Sequence, residues 1–232
     1  MRIIGVTAPG APISVSLHVD HGLDPKMMLW RSGYVISKLL SANLIDDEIV
    51  ITAQVAGKTQ RTKPPRYKAR GVDPQLVVQQ GEKPIVRQRI AAYAIVRSKY
   101  GVLGTVCSPH ESIPDFWQLP GGGVELGESP SEGVLREINE ETAQSVELDR
   151  LIDIQSDHWV GRAPNGTLED FQAVRIVYSA TCKNPTKPRV LEVGGTTSSA
   201  TWVPANRWRH LAWSSWVRSM LDKHLSEVPE IS

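Results

Sequence analysis

Apolar positions along the chain form short runs separated by turn residues, with helical stripes near the middle and the end. Tyr34 to Leu40 and Glu48 to Val55 alternate or run apolar, and Asp46-Asp47 between them has the chemistry of a turn, so the segment predicts two paired strands. Ahead of them, Asp24 suits an N-cap, Pro25 the first helical position and Gly33 a C-cap, which predicts a short helix from Pro25 to Ser32. Further on, Arg89 to Arg97 and Gly101 to Cys107 predict two strands joined at Ser98-Lys99-Tyr100, and Trp117 to Leu119 a short one ending at Pro120. Leu151 to Ser156, Ala173 to Thr181 and Ala200 to Val203 predict three more. Trp213, Trp216, Val217, Met220 and Leu221 recur at the spacing of one helix face, which reads as a core-facing helix before a partner surface.

Charge marks a break between these two groups. Lys58, Arg61, Lys63, Arg66, Lys68 and Arg70 fall in thirteen residues without an acid, interrupted by Pro64-Pro65. Prolines there oppose regular structure, so the stretch reads as a solvated basic linker. Two parts are expected: a small α+β segment with its linker over residues 1–70, and a larger domain over 86–226. An isolated segment of that size barely sustains a core, so it is expected to pack on the rest.

Composition narrows the function classes. A net charge of +1 provides no global field for nucleic acid or membrane, so phosphate recognition has to be local. Apolar residues make up 41 % of the chain, enough for a core, yet no run reaches the ~20 residues of a membrane helix. The N-terminus lacks the apolar core of a signal peptide, and the cytoplasm is the expected compartment. Cys107 and Cys182 sit in apolar stretches outside any C-x-x-C pair, which reads as buried thiols and against structural zinc.

The chemistry concentrates between residues 120 and 142. Ser129 with Glu132 forms a capping box, Pro130 takes the first helical position, and Val134, Leu135, Ile138 and Thr142 line one side of the helix that follows. Glu137, Glu140 and Glu141 fall at i, i+3 and i+4 on the other side, where like charges repel by a few tenths of a kcal/mol per pair. Two readings are open: a solvated acidic face, or hard oxygen ligands for Mg²⁺ or Mn²⁺. Gly121, Gly122 and Gly123 precede the helix, and a loop of that kind can bring backbone amides against phosphate oxygens. Glu128 and Arg136 stand at fixed offsets. Arg136 is readable as a surface cation or as the group that orients a metal-binding carboxylate.

Taken together, Gly122, Glu128, Arg136-Glu137, Ile138 and Glu140-Glu141 resemble the Nudix box, and the flanking strand order resembles the Nudix fold over roughly residues 86 to 226. The resemblance implies an α/β/α sandwich around a mixed sheet, with the N-terminal α+β segment lying outside it. It implies a Mg²⁺- or Mn²⁺-dependent hydrolase of a diphosphate bond in a nucleoside diphosphate-linked or related small molecule, with no stable nucleic-acid complex and no membrane, and it leaves room for a homodimer. Glu137, Glu140 and Glu141 would hold metal with Arg136 beside them in the catalytic set, and Gly121, Gly122, Gly123 and Glu128 would meet substrate. An extra acid would come from Glu169, Asp170 or Glu192, each expected in a loop and each also readable as a solvated acid. His158 and Trp159 are expected in a similar loop, Trp159 stacking on a base or capping the core.

The pattern breaks at its end, where Ala143-Gln144 replaces the usual Gly and aliphatic residue. Alanine in a left-handed conformation costs about 1 kcal/mol, so an altered helix ending is expected, with Val146 supplying the aliphatic. Two other activities remain on this scaffold: a non-catalytic nucleotide sensor, disfavoured because the box acids are all kept, and an isoprenoid diphosphate isomerase. The latter needs a reactive cysteine, and Cys107 in its apolar setting is the one candidate near the box.

Overall fold

A computed structural model of the protein describes residues 1–108, 115–163, 165–192 and 194–225. In chain order the elements are β1 (Arg2–Val6), β2 (Ile13–His18), α1 (Pro25–Arg31), β3 (Tyr34–Ile45), β4 (Glu48–Gly57), β5 (Gly71–Val72), β6 (Ile85–Ser98), β7 (Gly101–Cys107), β8 (Trp117–Gln118), β9 (Gly121–Gly123), α2 (Pro130–Thr142), β10 (Glu147–Arg162), β11 (Leu168–Thr181), β12 (Thr197–Val203) and α3 (Ser215–His224). The strands fall in two sheets, one of order β2-β1-β4-β3 and one of order β12-β7-β6-β11-β10-β5, with β8 on β7 and β9 on β6. The class is mixed α/β, as the sequence predicts. Among the described residues no helix is long and apolar enough to cross a membrane.

The chain divides into two compact units, each assembled from three stretches. The first takes Met1–Ala91, Gly123–Pro130 and Asp153–Ile176. Its four-stranded sheet pairs β1 parallel to β4 and antiparallel to β2, while β3 and β4 form a hairpin. Asp46 and Asp47 turn that hairpin with φ of 48° and 60°, the two positive angles that a two-residue turn requires if its twist is to match the strands. Ile3, Leu29 and Ile51 are fully buried in this unit. Helix α1 starts as expected: the Asp24 carboxylate accepts from Met27 N at 2.8 Å. The loop before it is held by Gln172 of β11. Gln172 Oε1 accepts from Gly22 N (2.7 Å) and Gln88 Nε2 (2.9 Å), and its Nε2 donates to Leu23 O (2.7 Å) and Ser156 Oγ (2.8 Å).

The second unit comprises Ala92–Gly122, Ser131–Ile152 and Val177–Ser232. Here β12 pairs antiparallel with β7, from Thr197 opposite Cys107 to Val203 opposite Val102. Ile95, Leu119, Val177, Trp208, Trp213, Trp216, Val217, Met220 and Leu221 form the core. The C-terminal stripe is therefore core-facing, though Trp213 lies before α3 rather than on it. Cys107 and Cys182 are buried free thiols, as expected.

Several elements differ from the sequence reading. Strands β10 and β11 begin earlier or run longer than their apolar cores suggest, so His158, Trp159, Glu169 and Asp170 lie in strands and not in loops. His158 pairs with Asp170, and Asp157 with Arg175, across β10 and β11, which lets the ladder continue past the apolar stretch. The linker is irregular as predicted, but it is not wholly solvated: Lys68 lies 3.6 Å from Asp157 and Arg70 donates to Asp170 at 2.8 Å.

Candidate active site

Helix α2 carries the box acids, and packing within the second unit sorts them. Val134, Ile138 and Thr142 are fully buried and anchor the helix, whereas Leu135, expected on the same side, is 39 % exposed. Glu137 and Glu140 are partly buried, but Glu141 is only 4 % exposed. A solvated acidic face is thereby ruled out for Glu141. Its carboxylate accepts from Gly121 N at 2.9 Å and from the Thr197 hydroxyl of β12. Two different strands thus fix one side chain of the helix.

The glycines explain how the carboxylates come so close to backbone. Gly121 has φ of 136°, and a Cβ there would run into Ala92 O and Tyr93, so only glycine fits. Gly122 has ordinary backbone angles, but a Cβ would sit 2.5 Å from the Glu137 carboxyl. The missing side chain is the space that Glu137 occupies. The three glycines form the short strand β9, where a loop was expected.

Charges near these acids are mostly negative. Arg136 Nη1 donates to Glu137 Oε1 at 3.1 Å and to Glu140 Oε2 at 3.0 Å, so one nitrogen bridges two carboxylates. Burial pushes the Glu137 pKa up; Arg136 opposes that shift, and Glu140 and Glu192 add to it. Burial likewise raises Glu141 to about 7, with Thr197 and Gly121 opposing and Glu137 and Glu192 reinforcing. Glu192 therefore lies within electrostatic reach of both, and the turn preceding it is tied to α2 by Leu191 N donating to Glu140 O at 2.7 Å. Hard oxygen ligands, partly desolvated and repelling one another, are a donor set that suits a divalent cation.

Helix α2 ends in an unexpected way. Ala143 adopts the left-handed conformation, φ 54°, that the glycine of the pattern would take, and its N–H bonds to Asn139 O at 2.8 Å. The ending is not altered; the strain is accepted. Gln144, not the half-buried Val146, fills the aliphatic position. It is buried, donates to Thr186 Oγ1 at 2.9 Å and accepts from Thr186 N at 3.0 Å, so its amide is satisfied.

The remaining candidates belong to the first unit. Glu128 accepts from Glu125 N at 3.0 Å and so closes the turn ahead of α2. Gly123 leaves room for the Arg89 guanidinium, which a Cβ would meet at 2.7 Å. Glu169 pairs with Arg87 at 2.7 Å. Asp170 is engaged by His21 (3.0 Å), His158 (2.5 Å) and Arg70 (2.8 Å), whose hydrogen bonds outweigh burial and hold it at about 2. Trp159, 40 % exposed, packs against Phe171 with ring centroids 4.6 Å apart. Of the three extra acids considered, Glu192 belongs to the same unit as Glu137 and Glu141 and raises the pKa of both. Thr197 and Arg89 escaped the sequence reading. Neither lies in the box, and nothing near either of them in sequence signals its partner.

Residues 87–223, more than half the chain, match a family model described as NUDIX domain. The chain belongs to that family. Among proteins similar to this NUDIX chain is an RNA pyrophosphohydrolase from a Nitratiruptor species, 37 % identical over 60 residues, which are 26 % of this chain and 39 % of that protein. A putative ADP-ribose pyrophosphatase from Bacillus subtilis (strain 168) is 42 % identical over 48 residues, 21 % of this chain and 23 % of that one. The match therefore spans well under half the length of either relative. A solved MutT protein from Methanosarcina mazei Go1 aligns over 63 % of this chain and 96 % of its own, at 21 % identity and a TM-score of 0.47.

Proposed function

We propose that this NUDIX protein is a hydrolase that cleaves a diphosphate bond in a small nucleoside diphosphate-linked or related molecule, with Mg²⁺ or Mn²⁺ as cofactor. The observation that carries the reading is Glu141: a carboxylate almost fully buried, fixed by Gly121 and Thr197, and raised to about 7 beside Glu137 and Glu192. Such clustering is unfavourable for the bare protein and favourable once a cation is shared. The names of the two relatives, an RNA pyrophosphohydrolase and a putative ADP-ribose pyrophosphatase, support the type of bond cleaved, and the second also the substrate class.

Glu137, Glu140 and Glu141 would hold the metal, which, when bound, offsets diphosphate charge and lowers the pKa of water. The chain's own groups do the rest. Arg136 fixes the orientation of Glu137 and Glu140 through its shared nitrogen. Gly121 N–H and Thr197 keep Glu141 from turning away, so its oxygens are positioned before substrate arrives. Gly122 leaves its side-chain space to Glu137, and Gly123 leaves its own to the Arg89 guanidinium. Glu192 accepts the proton of the attacking water, since Glu169 and Asp170 are committed to cations. The catalytic part is residues 86–226, the N-terminal segment an accessory, the partner a small molecule and the setting cytoplasmic.

A panel of diphosphate compounds assayed for phosphate or nucleotide release, with and without EDTA, tests the reading. Glu141→Gln should lower metal-dependent turnover about 10²-fold or more, because it removes a charged ligand at constant volume. Glu132→Ala, at the start of the same helix, should leave turnover nearly intact. Full turnover in excess EDTA, or equal rates for the two variants, would refute the mechanism.

A further inference from the structure

A second group of potential ligands lies in the first unit, whereas the box acids of α2 belong to the second. His21, in the loop between β2 and α1, His158 of β10 and Asp170 of β11 place one ligand atom each within 4.8 Å of one another. The two imidazole Nε2 atoms converge on the same carboxylate oxygen, Asp170 Oδ1, at 3.0 and 2.5 Å. The rings meet edge to face with centroids 4.9 Å apart. Gly22, with φ of 83°, lets the loop lie flat against His158, where a Cβ would come within 3.1 Å of Cε1.

We infer that His21, His158 and Asp170 form a binding site for a borderline divalent cation of the Zn²⁺ class, distinct from the oxygen-ligand acids of α2. Two neutral imidazoles and one carboxylate are a donor set that prefers such ions to Mg²⁺. Ligand atoms around a tetrahedral ion at 2.0–2.1 Å stand about 3.3 Å apart, so small side-chain shifts suffice to admit one. The outer oxygen of Asp170 is already held by Arg70 at 2.8 Å, which leaves Oδ1 for the ion and orients the carboxylate. His21 Nδ1 has no hydrogen-bond partner, so the tautomer that offers the Nε2 lone pair breaks no other bond of that ring. The nearby cations Lys68 and Arg175 both face Asp157, at 3.6 and 2.6 Å, so part of the local positive charge is offset. A hollow lined by Gly22, Tyr67, Lys68, Arg70 and His158 brings open space to one of the three ligands. Because one ligand comes from the N-terminal loop and two from the long strands, an ion here pins that loop in place.

The test uses the full chain, stripped of metal and dialysed against Zn²⁺ in the presence of a large excess of Mg²⁺, which keeps the glutamates of α2 filled. The expected result is one Zn²⁺ retained per chain and a higher melting temperature, with affinity at least tenfold weaker in His21→Gln and in His158→Gln. On the wild-type chain, bound Zn²⁺ should also protect His21 and His158 from carbethoxylation, read by peptide mass, and Co²⁺ should give the visible spectrum of a nitrogen-ligated ion. These two readouts decide the matter if a variant fails to fold. No Zn²⁺ retained over Mg²⁺, affinities within twofold of wild type in both variants, or unprotected imidazoles would each overturn the proposal and leave the group as a hydrogen-bonded triad.

Discussion

Replacing Gly122 by alanine is the most direct probe of Glu137. The ideal Cβ would lie 2.5 Å from both Cδ and Oε1 of Glu137 and 2.7 Å from Oε2. Comfortable contact between such atoms begins near 3.5 Å, so the carboxylate has to retreat by about 1 Å. The backbone at Gly122 does not lie in the left-handed region, so alanine brings no torsional strain of its own. The yielding group is the free end of a side chain, and restricting the unfolded chain returns ~0.4–1 kcal/mol. Net stability should move by no more than about 1 kcal/mol, or roughly 2–4 °C for a chain of this size. A shift of ~1 Å in a positioned catalytic group can lower turnover about 10²-fold. Initial rates across a Mg²⁺ titration, beside a melting curve, separate the two effects. Gly10→Ala is the control: φ there is 78° with open space around it, so stability falls by ~1 kcal/mol while the rate holds. Wild-type turnover and Mg²⁺ dependence in Gly122→Ala would show that Glu137 does not hold the cation.

Ala143→Gly relieves the left-handed strain at the end of α2 and should raise stability by ~1 kcal/mol without altering turnover; a lower melting temperature would mean that the ending carries no strain. In EDTA, stability should fall as pH rises. Glu141 is raised in the folded state, so its contribution is complete below the ordinary carboxylate pKa near 4.5 and is lost as pH climbs through about 7, with Glu137 acting in the same direction. Melting temperatures between pH 5 and 8 that stay flat or rise without metal would contradict this, and added Mg²⁺ should flatten the fall. Glu192→Gln should lower turnover by ~10²-fold at saturating Mg²⁺, whereas Glu169→Gln should have little effect; the reverse ranking of rates would move the proton acceptor to β11.

Local chemistry made much of this molecule readable. Asp24 and Pro25 announce α1, Asp46-Asp47 the hairpin, and the box its own helix, because capping, turns and amphipathic spacing act over a few residues. What escaped depends on partners far along the chain. Strands β10 and β11 extend through polar stretches because Asp157 meets Arg175 and His158 meets Asp170, pairings no single segment reveals. Glu141 looks like one more surface acid on a helical wheel. Only the arrival of Gly121 and of Thr197, 56 residues later, makes it a buried one. The left-handed Ala143 is a case where tertiary packing overrides local preference: Gln144, locked to Thr186, requires the helix to stop there.

Gln172 is fully buried, and its amide has both hydrogens and both lone pairs engaged. Two of those four partners are Gly22 N–H and Leu23 C=O, a donor and an acceptor in fixed order along the loop. Such an amide works as a lock that reads polarity. A loop displaced by one residue would present the wrong group, leaving unpaired atoms with no water to rescue them. No other side chain fits that keyhole: glutamate lacks the two hydrogens, leucine lacks everything but volume. In a saturation scan this position should therefore tolerate almost nothing, although it lies outside the box.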